Sequence, residues 1–319
     1  MASTSPIVAV VGTGLIGRAW AITFARSGLT VRLWDPNPDA STAAKGFVRE
    51  VAEDLAASDL LGGRFVDEVL ASLVPCAELS DALDGVLWVQ ECGPEVLAVK
   101  RETFSRLDAL APKDAILASS SSALLPSAMF EGLAGARRCV VAHPINPPYL
   151  VPAVELVPGP QTSAEVMERG AIFLGDVGQV PLVMDKEIDG FIMNRLQGAL
   201  LDEAFRLVAG GYASAADVDR GIADGLALRW SFIGPFETID LNAPGGVADY
   251  VARYGAMYAG LGASMRERVE WAGPVVDAVV ASRRESLAEA ELGNRQVWRD
   301  RRLMALRAHK RQVDADLGR

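Results

Sequence analysis

Near its start the chain reads Ile7-Val8-Ala9-Val10-Val11-Gly12-Thr13-Gly14-Leu15-Ile16-Gly17, and this stretch decides the fold. Its apolar residues predict a buried strand, its glycines a tight turn, and the pattern after them a helix. A second apolar run, Thr30–Trp34, completes a strand–helix–strand unit. Fully apolar strands suit a parallel sheet that is covered on both faces, so the stretch predicts an α/β fold.

The glycine loop carries a fingerprint for a dinucleotide. Gly12 permits the tight turn, Gly14 lets the backbone approach a pyrophosphate, and Gly17 allows close packing of the helix on the strand. Leu15 and Ile16 begin the helix, whose free N–H groups and positive dipole end attract phosphates. A purely structural glycine turn is the alternative, but the position of the loop between a strand and a helix favours a cofactor site.

Asp35 distinguishes between the two nicotinamide dinucleotides. It ends the second predicted strand, 18 residues after Gly17. A carboxylate at that position accepts hydrogen bonds from the adenosine ribose hydroxyls and repels a 2′-phosphate. The sequence therefore predicts NAD rather than NADP as the cofactor.

Strand and helix patterns continue to alternate up to about residue 185. Further strands are predicted at Gly85–Gln90, Ala115–Ala118, Cys139–Ala142, Ala153–Val157 and Gln179–Val183, and helices at Ala43–Leu61, Phe65–Leu73, Glu95–Leu110, Pro126–Glu131 and Ser163–Leu174. Such alternation is typical of a Rossmann-type, doubly wound and mostly parallel sheet. From Phe191 onward nearly all patterns are helical. We therefore expect an NAD-binding domain over 1–187 and an all-helical C-terminal domain over 188–319.

Composition argues against several classes of protein. The net charge is −10, and an acidic surface repels phosphate backbones, so nucleic acid is not an expected partner. Cys76, Cys92 and Cys139 are odd in number and lack the spacing of metal ligands, which argues against a disulfide framework and a metal site. We find no signal-peptide or membrane-span pattern, so we expect a cytoplasmic protein without a membrane partner.

His143 is the candidate catalytic base. It follows the apolar strand Cys139–Ala142 and therefore lies at a strand's carboxyl end, where ligands bind in open α/β sheets. Oxidation of an alcohol needs a base for the hydroxyl proton, and histidines titrate close to neutral pH. The other histidine, His309, lies in a run of Arg and Lys and is interpreted as a solvated helix residue.

Glu155 is the candidate partner of His143. It lies twelve residues later in the apolar run Val154–Val157, and an isolated carboxylate in such a strand is costly unless it is paired. Pairing with His143 would fix the imidazole tautomer and stabilise its cation. The residues alone leave an alternative open, which is a hydrogen-bonded core histidine and an edge-strand glutamate.

The motifs together resemble the 3-hydroxyacyl-CoA dehydrogenase superfamily over the whole chain. The matching motifs, in chain order, are the glycine loop, Ser119–Ser122, His143–Pro147, Glu155 and Gly190–Arg195. The resemblance implies that His143 and Glu155 are the catalytic pair, because their spacing is that of the superfamily. Separate motifs in the right order over so much of the chain make the match specific.

Four further residues receive roles from this resemblance. It implies that Ser122 and Asn194 contact the substrate and the nicotinamide, and that Glu95 and Lys100 form a pair near the cofactor. Each has a plainer reading when it is taken singly. Ser122 can cap a helix, Asn194 can be a helix-surface amide, and the Glu–Lys pair can be a first-turn acid with a solvated base.

Two segments are similar to one branch of the superfamily, that of lambda-crystallin and L-gulonate 3-dehydrogenase. The acyl-CoA enzymes carry two aromatic residues after the histidine, whereas this chain has Pro144 and Ile145. Pro147–Ala153 and Leu228–Thr238 resemble the lambda-crystallin branch instead. The resemblance implies oxidation of L-gulonate to 3-dehydro-L-gulonate. The alternatives are dehydrogenation of 3-hydroxybutyryl-CoA, 3-hydroxybutyrate or carnitine, and a crystallin-like NAD-binding protein without activity.

Arg229 is the candidate for binding the carboxylate of a small hydroxy acid. A free acid needs a cation or several hydrogen-bond donors, and Arg229 precedes a Trp-Ser-Phe segment that faces the cleft in this family. Arg195 is the second candidate, with a packing or interdomain salt bridge as its competing role. The resemblance also implies that the chain forms a homodimer through its helical domain.

Overall fold

A single eight-stranded sheet forms the centre of the computed structural model, which describes residues 5–318. The strands are β1 (Ile7–Val11), β2 (Thr30–Trp34), β3 (Leu73–Pro75), β4 (Trp88–Glu91), β5 (Ile116–Ser119), β6 (Cys139–Pro144), β7 (Ala153–Pro158) and β8 (Val180–Val183). Their order across the sheet is β3-β2-β1-β4-β5-β6-β7-β8. Strands β1 to β6 are parallel, whereas β7 is antiparallel to β6 and β8 is parallel to β7.

Helices connect most of these strands. They are α1 (Leu15–Arg26), α2 (Pro38–Ala57), α3 (Val66–Ala71), α4 (Leu79–Leu83), α5 (Leu97–Leu110), α6 (Pro126–Met129) and α7 (Ala164–Asp176), with a 3₁₀ turn at Ala136–Arg138. The chain passes from β1 outward to β2 and β3 and then returns to β4 on the other side of β1. The carboxyl ends of β1 and β4 therefore form the switch point at which such sheets bind ligands.

The remaining chain is helical. Its elements are α8 (Met193–Ala209), α9 (Ala215–Arg220), a π-helical turn (Gly221–Leu226), α10 (Ala227–Trp230), α11 (Pro235–Leu241), α12 (Gly246–Leu261), α13 (Pro274–Ser286) and α14 (Leu292–Leu317), with 3₁₀ turns at Ser264–Arg266 and Glu289–Glu291. None of the helices in residues 5–318 combines the length and the apolar character that a membrane span needs. The predicted α/β class, with a doubly wound sheet followed by helices, is confirmed.

The sheet has a hydrophobic layer on each face, as apolar parallel strands require. Alternate residues of β1 enter different layers: Val8 and Val10 pack with Trp20 of α1, whereas Val11 packs on the other face with Phe104 of α5. All of these side chains are buried. The two layers fix α1 and α5 against the sheet and so fix the loops that precede these helices.

The predicted helix Phe65–Leu73 is wrong in its last part. Helix α3 ends at Ala71, and Leu73 begins the edge strand β3. Leu73 lies opposite Val31 of β2, and the Val31 N–H donates to the carbonyl oxygen of Ser72. Backbone pairing with β2 overrides the local helical pattern, because an edge strand satisfies N–H and C=O groups that β2 would otherwise expose.

The described chain divides into two compact units, and the terminal helix belongs partly to the first. The first unit ends at Met193 and resumes at Val297, and the second is Asn194–Gln296. Within the first unit, Met304 of α14 is buried in the core layer of α1 and α2. Arg301 of α14 also pairs with Asp54, with a nitrogen–oxygen distance of 3.0 Å. The second unit therefore lacks residues 188–193 and the part of α14 from Val297 onward, both of which were expected in the second domain.

Candidate active site

The glycine loop after β1 has the geometry that each glycine was expected to supply. Gly12 has a φ of +90°, which favours glycine. A Cβ at Gly17 would lie 1.9 Å from the carbonyl oxygen of Gly12, so only glycine allows this approach of α1 to the loop. A Cβ at Gly14 would meet nothing within 4 Å. Gly14 therefore faces open space, as a residue that admits a phosphate must.

Helix α1 begins directly after this open position. Gly14 precedes the helix and provides no side-chain cap, and Leu15 and Ile16 form its first turn. The N–H groups of an uncapped first turn are available to an anion, and the helix dipole favours negative charge there. The predicted phosphate site is thus consistent with the local backbone.

Asp35 lies beside this loop, at the end of β2. Its Oδ2 accepts hydrogen bonds from the backbone N–H of Thr13 at 2.7 Å and from the Thr13 hydroxyl at 3.3 Å. Its Oδ1 accepts from the Asn37 N–H at 2.9 Å. These bonds hold the carboxylate at a cavity of about 490 Å³ that Gly12, Gly14 and Asp35 all line. The loop, the helix end and the carboxylate therefore fit a dinucleotide together.

His143 and Glu155 contact each other across the antiparallel pair β6–β7. The register places the two residues directly opposite each other, and His143 Nδ1 lies 2.6 Å from Glu155 Oε2. His143 is almost fully buried, and Glu155 is fully buried. A carboxylate at Nδ1 fixes the tautomer that leaves Nε2 as the proton-accepting nitrogen. This contact is the geometry that a general base requires.

The second oxygen of Glu155 is held by the start of α8. Glu155 Oε1 accepts hydrogen bonds from the backbone N–H groups of Ile192 at 2.6 Å and Met193 at 2.7 Å. The preceding residue, Phe191, has a φ of +50°, and its ring centroid lies 5.7 Å from that of His143. The turn at Gly190 and Phe191 therefore directs the N–H groups of Ile192 and Met193 towards the carboxylate. Sequence reasoning assigned roles in the Gly190–Arg195 segment to the side chains of Asn194 and Arg195, and it missed the two backbone donors.

The loop between β6 and β7 is anchored to helix α1. Arg26 donates a hydrogen bond to the carbonyl oxygen of Tyr149 at 2.7 Å. Burial, and secondarily the charge of Arg307, lowers the pKa of Arg26 to about 10. The bond holds the chain segment that joins the two members of the His143–Glu155 pair.

Glu95 organises the serine loop that follows β5. Its Oε1 accepts from the Ser121 hydroxyl at 2.5 Å and from the N–H groups of Ser122 and Ala123, each at 3.0 Å. Burial alone would raise the pKa of Glu95. The hydrogen bonds from Ser121 and Ala123, together with the nearby charge of Lys100, hold this pKa below its ordinary value. Ser122 is therefore positioned through its backbone by an acid 27 residues earlier.

Lys100 is closer to another acid than to its predicted partner. Its Nζ lies 2.8 Å from Glu91 Oε2 but 3.8 Å from Glu95 Oε2, and the side chains of Lys100 and Glu91 are both buried. Glu91 also accepts from the Ser119 hydroxyl at 2.8 Å and from the Gly93 N–H at 2.6 Å. Sequence reasoning missed Glu91, because the predicted strand ended at Gln90. A carboxylate that ends an apolar strand was the available signal.

The other two predicted site residues belong to the second unit. Asn194 follows Met193 in the first turn of α8, and Arg229 is exposed on α10. Among the residues that the structure describes, no group of three or more His, Cys, Asp or Glu side chains is arranged to hold a metal ion.

Comparison with known families assigns this geometry to a class of enzyme. Residues 7–188 match the model of the 3-hydroxyacyl-CoA dehydrogenase NAD-binding domain, and residues 190–285 match the C-terminal domain of the same family. The chain belongs to the 3-hydroxyacyl-CoA dehydrogenase family. The predicted resemblance is therefore confirmed, as is NAD as the cofactor.

Relatives of this dehydrogenase cover almost its whole length. It is 42% identical over 309 residues to lambda-crystallin of Oryctolagus cuniculus, covering 96% of this chain and 97% of the relative. It is 36% identical over 295 residues to L-carnitine dehydrogenase of Streptomyces griseus, covering 92% and 87%. The solved structure of an NAD⁺-dependent dismutase, 5-formyl-3-hydroxy-2-methylpyridine 4-carboxylic acid 5-dehydrogenase, matches with a TM-score of 0.81 at 25% identity, covering 95% and 97%.

These relatives identify the reaction class of this family member. The chain is an NAD-dependent hydroxy acid dehydrogenase of the 3-hydroxyacyl-CoA dehydrogenase family. When bound, NAD supplies the acceptor for the hydride. The glycine loop and Asp35 are the residues that would hold it, since they combine an open backbone, an uncapped helix end and a fixed carboxylate at one cavity.

Proposed function

We propose that this dehydrogenase oxidises the 3-hydroxyl of a small free 3-hydroxy acid, with L-gulonate as substrate and 3-dehydro-L-gulonate as product. The observation that carries the proposal is the buried His143–Glu155 contact of 2.6 Å. Identity of 42% to a lambda-crystallin, over nearly the full length of both chains, supports the branch. The residues after His143, which lack the aromatic pair of the acyl-CoA enzymes, support it as well.

His143 accepts the proton of the substrate hydroxyl in this mechanism. With Nδ1 committed to Glu155, the free nitrogen Nε2 takes the proton as hydride leaves the carbon. The imidazolium that forms lies against the Glu155 carboxylate, which stabilises it. The two backbone N–H groups that donate to Oε1 hold that carboxylate in place.

Ser122, Asn194 and Arg229 bind the substrate in this proposal. Ser122 and Asn194 donate hydrogen bonds to the developing carbonyl, a preorganised electrostatic contribution. Arg229 binds the free carboxylate, for which a guanidinium supplies two parallel donors. Glu95 supports Ser122 because it fixes the backbone of the serine loop.

Three other functions have an observation in their favour. The family models favour a 3-hydroxyacyl-CoA substrate, and a relative with 36% identity favours carnitine. The lambda-crystallin relatives favour a protein that binds NAD without turnover. The intact His143–Glu155 pair favours an active enzyme over the silent form.

Initial rates of NADH production test this proposal. Purified enzyme and NAD are supplied separately with L-gulonate, L-3-hydroxybutyrate, L-carnitine and 3-hydroxybutyryl-CoA, and kcat/KM is compared. We expect L-gulonate to give the highest value and Arg229→Met to raise its KM more than it lowers kcat. A higher value for the thioester would contradict the free-acid proposal, and NAD binding without any turnover would support the silent form.

We further propose that the enzyme acts as a homodimer in the cytoplasm and binds neither nucleic acid nor membrane. The second unit buries only Thr238 and Ala243 among the residues described for it, while large apolar side chains such as Phe232 and Leu241 are about 70% exposed. Unburied apolar surface of this kind marks an interaction face. Light scattering coupled to size-exclusion chromatography should give twice the chain mass of 33.9 kDa, and a monomer at micromolar concentration would contradict the proposal.

A further inference from the structure

Two cavities of the first unit share one wall. The first, of about 490 Å³, extends from Gly12 and Gly14 to this wall. The second, of about 450 Å³, lies beyond it, where Glu78 and Ser80 contribute to the lining. The residues that line both cavities are Trp34, Asp35, Pro36, Leu79 and Arg106. Because the glycines receive the pyrophosphate, the shared wall belongs to the adenosine half of the cofactor site.

Arg106 enters this wall from helix α5 and is held there by Trp34. The guanidinium carbon lies 5.4 Å from the centroid of the Trp34 ring, within the range of a cation–π contact. Trp34 directly precedes Asp35 in the chain, so the same strand end positions the cation and the carboxylate. Val99, Glu102 and Thr103 line the first cavity from the same helix, at helical spacing from Arg106.

The charges around the two cavities are unequal. The acidic side chains in the lining are Asp35, Glu78, Glu91 and Glu102, and Arg106 is the one basic side chain among the described lining residues. The charge of Glu91 is compensated by Lys100. A phosphate on the adenosine ribose would therefore meet three uncompensated carboxylates and one cation. Arg106 is the group of this lining that attracts such a phosphate.

We propose that Arg106 is a specificity-determining residue of the cofactor site, which contacts the adenosine half of NAD and acts against Asp35 in the choice between NAD and NADP. Asp35 excludes a 2′-phosphate, whereas Arg106 supplies the cation that would bind one if the carboxylate were absent. NAD is preferred because acids outnumber the cation at this wall. The acid that the enzyme oxidises does not enter the argument, because only cofactor contacts are involved.

Isothermal titration calorimetry with NAD and with NADP, in the absence of substrate, measures the contribution of each side chain. Arg106→Gln should weaken NAD binding by about three- to tenfold, the size of a lost cation contact on a partly exposed surface. Asp35→Ser should weaken NAD binding and strengthen NADP binding, because the ribose acceptor and the repelling charge are both removed.

The double variant Asp35→Ser/Arg106→Gln is the decisive comparison. Relative to Asp35→Ser alone, it should lose NADP affinity by about tenfold or more, while its NAD affinity falls by a smaller factor. Asp35→Ser/Arg106→Lys keeps the charge and should retain most of the NADP affinity. A steeper fall of NADP affinity with salt in the variants that keep the cation should accompany this pattern.

Arg101→Gln is the matched control on the same helix. It removes the same charge, but Arg101 donates to the Ala128 carbonyl oxygen and pairs with Glu131 at 2.5 Å. Its NAD and NADP affinities should equal those of the unmodified enzyme. The proposal would be overturned if Arg106→Gln, added to Asp35→Ser, lowered the NAD and NADP affinities by equal factors. It would also be overturned if this substitution lowered neither affinity and left the melting temperature unchanged.

Discussion

Two buried carboxylates of the same sheet, Glu155 and Glu91, have different partners. Glu155 on β7 contacts the imidazole of His143 at 2.6 Å, whereas Glu91 at the end of β4 contacts the ammonium of Lys100 at 2.8 Å. Both carboxylates also accept hydrogen bonds from backbone N–H groups. An imidazole exchanges a proton near neutral pH, but an ammonium does not. A buried carboxylate therefore indicates a candidate general base only where its partner is a group that exchanges protons near neutral pH.

The largest effect that separates the two pairs is expected from His143→Ala. Loss of the proton acceptor should lower kcat by about 10³–10⁴-fold, while the Kd for NAD stays close to that of the unmodified enzyme. His309→Ala is the matched control, because His309 is exposed on α14 and its replacement should leave kcat unchanged. Near-normal turnover of His143→Ala would show that this residue is not the base.

Glu91→Gln should act on stability. The substitution leaves the Lys100 ammonium buried, and the nearest remaining carboxylate is that of Glu95 at 3.8 Å. The free energy of unfolding should therefore fall by about 3–5 kcal/mol. Urea denaturation measures this change. The double variant Glu91→Gln/Lys100→Met should recover most of the loss, because neither charge remains. A single variant within about 1 kcal/mol of the unmodified enzyme would contradict the importance of the pair.

Glu155→Gln should affect catalysis through the tautomer of the histidine. The N–H groups of Ile192 and Met193 require the amide oxygen, so the amide nitrogen would face His143 Nδ1 and leave the proton on Nε2. We expect kcat to fall by about 10²–10³-fold, because the proton on Nε2 removes the nitrogen that should accept the substrate proton. The double variant Glu91→Gln/Lys100→Met should recover stability, but the double variant Glu155→Gln/His143→Ala should recover no turnover. Recovery would contradict the proposed roles.

The smallest effect is expected from Glu95, a half-exposed carboxylate whose closest partners are neutral donors. Its pKa lies below the ordinary value in the folded chain, so its stabilisation is present above the unfolded pKa and is lost as pH falls through the folded pKa. Glu95→Gln should lower the melting temperature at pH 7, and the difference should vanish in acid. As a control, Glu131→Gln replaces an exposed carboxylate and should change the melting temperature little at any pH. A difference independent of pH would contradict the electrostatic argument.

The sequence predicted contacts between the side chains of neighbouring strands better than contacts that depend on backbone N–H groups or on the packing of a helix. His143 and Glu155 were predicted as a pair because both end or interrupt apolar strands, and strand pairing brings them opposite each other. The pair Glu95–Lys100 was predicted from a motif, but the closer acid is Glu91. A motif gives the spacing along the chain, whereas the distance depends on how α5 packs on the sheet.

The local pattern of the sequence determined the doubly wound sheet, the glycine loop with Asp35 and the chemistry of His143. These follow from periodicity, from the positive φ that glycine permits and from the cost of burying a lone charge. Only the tertiary structure decided that β3 is a strand, that part of α14 packs on the first unit and that the start of α8 holds Glu155. It also placed Arg106 in the wall of the cavities that Asp35 lines. Each of these depends on contacts between residues far apart in the chain, which short-range patterns do not encode.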